Sequence, residues 1–99
     1  MDLIYHIVQD GNWTKYQQKS YYEADSLQTE GFIHLSKKDQ VPGVLERYYQ
    51  GVPDLLLVHI DAGRLVGELK YEVSTNDEQF PHLYGPLNKD AVVAVERIS

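Results

Sequence analysis

No cysteine occurs anywhere in the 99 residues, and this one absence removes disulfides, thiolate nucleophiles, iron–sulfur clusters and zinc–thiolate sites together. Whatever chemistry the chain performs must come from histidine, carboxylate, hydroxyl and phenol groups. Positive charge is also scarce. Nine Lys and Arg stand against fifteen Asp and Glu, a net charge of −6, which argues against a basic face that neutralises several phosphates of a nucleic acid. Neither G-x-G-x-x-G nor a Walker loop is present, so the familiar glycine-rich modes of nucleotide binding are excluded. No apolar run approaches the roughly 20 residues of a membrane span, and Met1-Asp2-Leu3-Ile4-Tyr5-His6 has no basic leader region. The expectation is a cytoplasmic protein without membrane segments.

What is present suffices for one core. Hydrophobic residues make up 42%, and eight tyrosines outnumber two phenylalanines, so many of the aromatic rings carry a polar tip suited to half-buried or pocket positions. Residues 1–99 read as a single α+β domain with a curved or split β-sheet and two to three short helices. Leu3 to Val8 is a strand ending at Asp10-Gly11-Asn12, where Asp10 or Asn12 can cap a helix from Trp13 to Gln18. Ser26 to Glu30 is a helical turn leading into the alternating strand Gly31 to Ser36. Asp39 to Gln50 is the best helix: Val41, Val44, Leu45 and Tyr48 share one side, Pro42 falls in the first turn, and Gly51 stops it. Leu55 to Ile60 is nearly all apolar, as in a central strand covered on both faces. Glu68 to Val73 alternates, Ser74 to Gln79 is a polar loop, and Ala91 to Ile98 is a last strand. The block from Phe80 to Leu87 holds Pro81 and Pro86, which forbid a helix and make a poor central strand.

Two strips carry candidate chemistry. On the strand from Gly31, period-two alternation puts Phe32, His34 and Ser36 in one row when Ile33 and Leu35 face the core. In the proline block, His82 and Tyr84 fall on the same side. His6 lies on the first strand with Ile4 and Val8. Imidazoles here could move protons near neutral pH or bond to phosphate and ribose oxygens. This makes His34 and His82 the candidate catalytic groups, with His6, Phe32, Ser36, Tyr84, Glu30 and Arg47 as binding groups and Arg64 a further charge for a cleft rim. His59, inside the apolar strand, reads as structural. A three-histidine zinc site lacks any short ligand spacing, so no metal is assigned.

Tyr5-His6-Ile7, Glu30-Gly31-Phe32-Ile33-His34-Leu35-Ser36, the strand Asp54 to Asp61, Tyr71-Glu72, and above all Phe80-Pro81-His82-Leu83-Tyr84-Gly85-Pro86-Leu87 with Ala91-Val92 resemble the bacterial family called domain of unknown function 952. The likeness spans nearly the whole chain. That family is similar in architecture to the ADP-ribosyltransferase fold, in which a split sheet clasps a nicotinamide nucleotide. The resemblance implies that His6 contacts the ribose of NAD, that His34 and Ser36 lie near the nicotinamide, and that NAD, ADP-ribose or a related phosphorylated nucleoside is ligand or substrate. The late catalytic glutamate of that fold has no counterpart in the sequence, where His82 takes its place. Two classes therefore stand side by side: an enzyme-like nucleotide pocket, and a non-catalytic interaction domain that keeps the scaffold.

Overall fold

Leu3–Gln9 forms the first strand, β1, and is buried on both faces: Ile4, His6 and Val8 on one, Tyr5 and Ile7 on the other. A computed structural model describes residues 2–99. β1 pairs antiparallel with β4 (Leu55–Asp61) from Leu3 opposite Asp61 to Gln9 opposite Leu55. On its far side β4 pairs with β8 (Val92–Arg97), giving the order β1-β4-β8. A second three-stranded antiparallel sheet has the order β3-β6-β5, from Ile33–His34, Gln79–Tyr84 and Glu68–Val73. The sheets meet at one point, where Tyr5 and Ser36 exchange two backbone hydrogen bonds of 2.8 Å. The result is an α+β fold with a split sheet. A small ladder of β2 (Tyr21–Tyr22) with β7 (Leu87–Asn88) closes one end.

The core runs across both sheets. Ile4, Val8, Val58 and Ile60 come from the first, Ile33, Leu35 and Leu83 from the second, and Tyr22 and Leu87 from the small ladder. Each fully buried aliphatic side chain contributes about 1.5–3 kcal/mol of transfer free energy. The described residues form three α-helices, α1 (Asp10–Thr14), α2 (Asp25–Thr29) and α3 (Val41–Tyr48); Trp13 of α1 and Leu27 of α2 pack against the core.

Several elements differ from the sequence reading. β6 contains Pro81 and is nonetheless the centre of its sheet. In an antiparallel ladder the N–H and C=O of one residue point to the same neighbour. The Pro81 carbonyl accepts from Leu35 N at 3.0 Å, so its missing N–H also faces that side, just where the chain turns off to pair Ser36 with Tyr5. The absent donor thus falls at the end of the β3 ladder. α1 starts at Asp10 rather than Trp13, directly from the end of β1; Trp13 and Tyr16 still share a face, their rings 5.0 and 5.5 Å from that of Tyr22. α3 is shorter than Asp39 to Gln50, with a 3-10 turn over Lys38–Gln40 before it. Val41, Val44 and Leu45 are half-buried, but Tyr48 is 58% exposed. β4 is fully covered on the face of Leu56, Val58 and Ile60, while Leu57 and His59 on the other are only half-covered.

Candidate functional site

The split between the sheets places His6 at the floor of a cavity. Its Nδ1 lies 2.9 Å from the His34 carbonyl oxygen and its Nε2 2.9 Å from the Tyr22 hydroxyl. A carbonyl only accepts, so Nδ1 carries the proton, Nε2 is bare, and Tyr22 donates to it. Burial drives the His6 pKa down to about 4, against the opposing effect of its bond to the His34 backbone. At neutral pH the ring is therefore uncharged. Burial likewise raises the Tyr22 phenol above its ordinary value, so it stays a donor.

Above this pair lies a cavity of about 500 Å³, walled by β1, α2, the β3 segment and α3. That size is in the range that small-molecule ligands occupy. His6, Tyr22, Ser26, His34, Ser36 and Tyr49 line it, Phe80 supplies an aromatic wall, and the Tyr48 hydroxyl clasps Thr75 Oγ1 across the rim at 2.6 Å. No lysine or arginine is among its lining residues, and Asp25 is the one charged side chain there. A phosphorylated ligand, as read from the sequence, would find no cation inside the cavity.

The second histidine group occupies the outer face of the β3-β6-β5 sheet. His34 and His82 are paired directly across β3 and β6, which brings their rings to 5.4 Å, edge to face. Phe32 stacks on His82, centroids 4.1 Å apart and planes 20° apart, and leans on Tyr84 at 5.3 Å. Glu72, one strand over on β5, puts Oε1 2.9 Å from His82 Nδ1 and 2.5 Å from the Tyr84 hydroxyl. These two donors, Tyr84 first, hold the Glu72 carboxyl below its ordinary value, and the same bond raises the Tyr84 phenol. The carboxylate requires a proton on His82 Nδ1. In the neutral ring that leaves Nε2 bare, and this atom is buried without a partner.

The three histidines thus do not converge on one point. His34 is shared: it lines the cavity, and its ring meets His82. His6 reaches only the His34 backbone, and both its nitrogens are spent, so a three-histidine zinc site is not assembled; among the described residues no group of three His, Asp or Glu side chains could hold a metal. Ser36 faces the cavity rather than the Phe32 row, because the chain leaves β3 there to pair with Tyr5. Phe32, His82 and Tyr84 are not among the cavity's lining residues. Glu30 sits at the end of α2, 3.0 Å from His34 Nε2, both half-exposed, an arrangement typically worth under about 1 kcal/mol. Arg47 is exposed on α3, lies over the Tyr48 ring and is not among the residues that line this cavity. Arg64 pairs with Asp61 at 3.4 Å. His59 stands apart, as expected, but is not sealed; it bonds Glu96 at 2.8 Å with 23% of its side chain exposed.

Tyr22 and Glu72 are the site residues that the sequence reading missed. The Glu72 signal was its place on the alternating strand Glu68 to Val73, whose register sets it opposite Phe80 and two residues from Lys70, the partner of His82. Tyr22 gave none, since only the β2–β7 ladder carries it to His6.

No helix among the described residues is long and apolar enough to cross a membrane. No curated protein matches the chain. Among solved structures, protein CC0527 from Caulobacter crescentus is similar: its crystal structure aligns with a TM-score of 0.89 at 31% identity, over 98% of this chain and 86% of that one. A crystal structure of a double mutant of CC0527 gives 0.89 at 30%, with the same shares of each chain covered. The solution structure of CC0527 gives 0.85 at 31%, over 100% of this chain and 86% of that one. The family model described as protein of unknown function DUF952 matches residues 7–95, and the chain belongs to that family.

Proposed function

We propose that this protein binds a small, uncharged, ring-bearing molecule with hydrogen-bonding edges, of the nucleoside or nicotinamide type, in the cavity above His6. One observation carries the reading: a cavity of about 500 Å³ lined by hydroxyls, phenols and imidazoles, with a neutral histidine at its floor and no cation in its walls. Such walls suit a ring and a ribose. A pyrophosphate would stay uncompensated, because charge-assisted bonds from Arg or Lys are what normally hold it. The resemblance of the family to the ADP-ribosyltransferase fold, in which a first-strand residue such as His6 contacts the ribose, favours a nicotinamide nucleotide, and a lining without any cation limits this to its nucleoside end, with phosphates outside in solvent. Cleavage of such a molecule is not part of the proposal; binding is.

The test is a titration with adenosine, nicotinamide, ADP-ribose and NAD, followed by NMR of the His6 and Tyr22 signals. Adenosine or nicotinamide shifts both. ADP-ribose and NAD bind no more than about tenfold tighter than their uncharged parts, since a tenfold gain needs only 1.4 kcal/mol of phosphate contact. Silence at millimolar concentration for all four compounds would discard the pocket in favour of an interaction domain.

A further inference from the structure

Among the described residues β5 is an edge strand: its one neighbour is β6, and its other side is open along Glu68–Val73. Which of its backbone groups point outward follows from the ladder. Pro81 directs its carbonyl to Leu35 on the β3 side, so in the pair that Pro81 forms with Tyr71 neither backbone bonds to the other. The N–H and C=O of Tyr71 therefore face the open edge, and alternation gives those of Leu69 and Val73 the same direction. The three side chains stand opposite Pro81, Leu83 and Gln79 on the core side of the sheet, yet Tyr71 is 42% exposed and Val73 62%. An apolar, proline-free edge of this kind is a template for another strand unless something blunts it. Its one lysine, Lys70, shares the opposite face with Glu68 and Glu72.

We propose that this edge pairs with the same strand of a second copy of the chain, antiparallel, with Tyr71 opposite Tyr71 of the partner subunit. A two-fold interface must be complementary to itself, and this register is. Leu69 stands opposite Val73 and Tyr71 opposite its own counterpart, as pairs that exchange both backbone bonds, so the outward N–H and C=O groups of all three residues find partners. Their side chains join into one apolar strip across the two copies. On the other face Lys70 meets Glu72 of the partner subunit, twice by symmetry, in the closer kind of cross-strand pair. Glu72 is free to receive it: His82 and Tyr84 both bond Oε1, which leaves Oε2, and the side chain is 40% exposed. Lys70 is itself half-exposed, 3.9 Å from Glu68, a contact of the weak surface kind. Sliding the register by one step either way sets Lys70 against Lys70 or Glu72 against Glu72, which like-charge repulsion disfavours. The edge of the other sheet, β8, lacks this fit. Its Glu96 is taken by His59, its Arg97 by Asp10 and Asp54, and its pairing shifts opposite His59 and Ile60.

Sedimentation equilibrium from micromolar to millimolar concentration, with hydrogen exchange of the wild-type amides over the same range, tests it. The mass should rise from 11.4 kDa toward twice that value. The amides of Leu69, Tyr71 and Val73 should gain protection in step with it, and those of β8 should not. Lys70→Glu should weaken the dimer by about two- to thirtyfold, because both symmetric pairs turn from attractive to repulsive. Lys15→Glu makes the same change of charge on an exposed residue at the end of α1 and should leave the dimer as tight as in the wild type. A chain that stays monomeric at millimolar concentration overturns the proposal. So does a dimer whose new protection falls on β8, or one that the two substitutions weaken alike. If Lys70→Glu fails to fold, the wild-type exchange pattern decides alone.

Discussion

Acidification should destabilise this protein through His6 before most of its carboxylates matter. His6 has a folded pKa of about 4 against 6.5 when unfolded. Its folded value is depressed, so the unfolded chain binds the proton first. The stability held above pH 6.5 is lost as the pH falls toward 4 and changes little from this source below that. With 1.36 kcal/mol per pH unit of difference, the loss by pH 4 is about 3 kcal/mol, a large share of the roughly 5–15 kcal/mol that holds a typical domain together. The assay is urea unfolding at half-unit steps from pH 7.5 to 4, on the wild type and on His6→Gln. Carboxylates such as Glu72, held low by Tyr84 and His82, also cost stability as they are protonated, in a window below their unfolded value. They contribute to both proteins equally. The difference between the two curves isolates His6: Gln is the weaker at pH 7.5, and its deficit should shrink by about 3 kcal/mol toward pH 4. A deficit that stays constant across the range, or an NMR titration placing His6 near 6.5, would refute the buried neutral imidazole and with it the uncharged cavity floor.

Tyr22→Phe removes the one donor to His6 Nε2 among the described residues and should cost about 1–3 kcal/mol for the orphaned acceptor, read as a lower melting temperature, with the His6 ring signal displaced. Leu83→Ala, at a site fully buried between the sheets, should cost about 2–5 kcal/mol in chemical denaturation; a loss below about 1 kcal/mol would mean the core is not shared as described. Arg47→Ala should leave both stability and any adenosine titration unchanged within error, because its side chain lies on the outside of α3; weakened binding would return Arg47 to the site.

Local pattern was enough for much of this molecule. Period-two alternation put Ile33 and Leu35 inward and His34 outward, the apolar run at Leu55 marked the strand at the centre of its sheet, and Pro42 with Gly51 bracketed the one amphipathic helix. These features depend on neighbours a few residues away, which a sequence displays directly. The pairing partners were not displayed. That Pro81 sits in a central strand depends on where the β3 ladder stops, and that Ser36 serves the cavity depends on its bridge to Tyr5. His6 meeting Tyr22 and His82 meeting Glu72 likewise join residues 16 and 10 positions apart through strand registers. The sequence by itself determined the chemistry available, which is imidazole, carboxylate and phenol with no thiol and little positive charge. Only the tertiary structure decided which imidazole is buried and neutral and which is oriented by a carboxylate with its far nitrogen unpartnered, because burial and hydrogen-bond partners are brought from elsewhere in the chain.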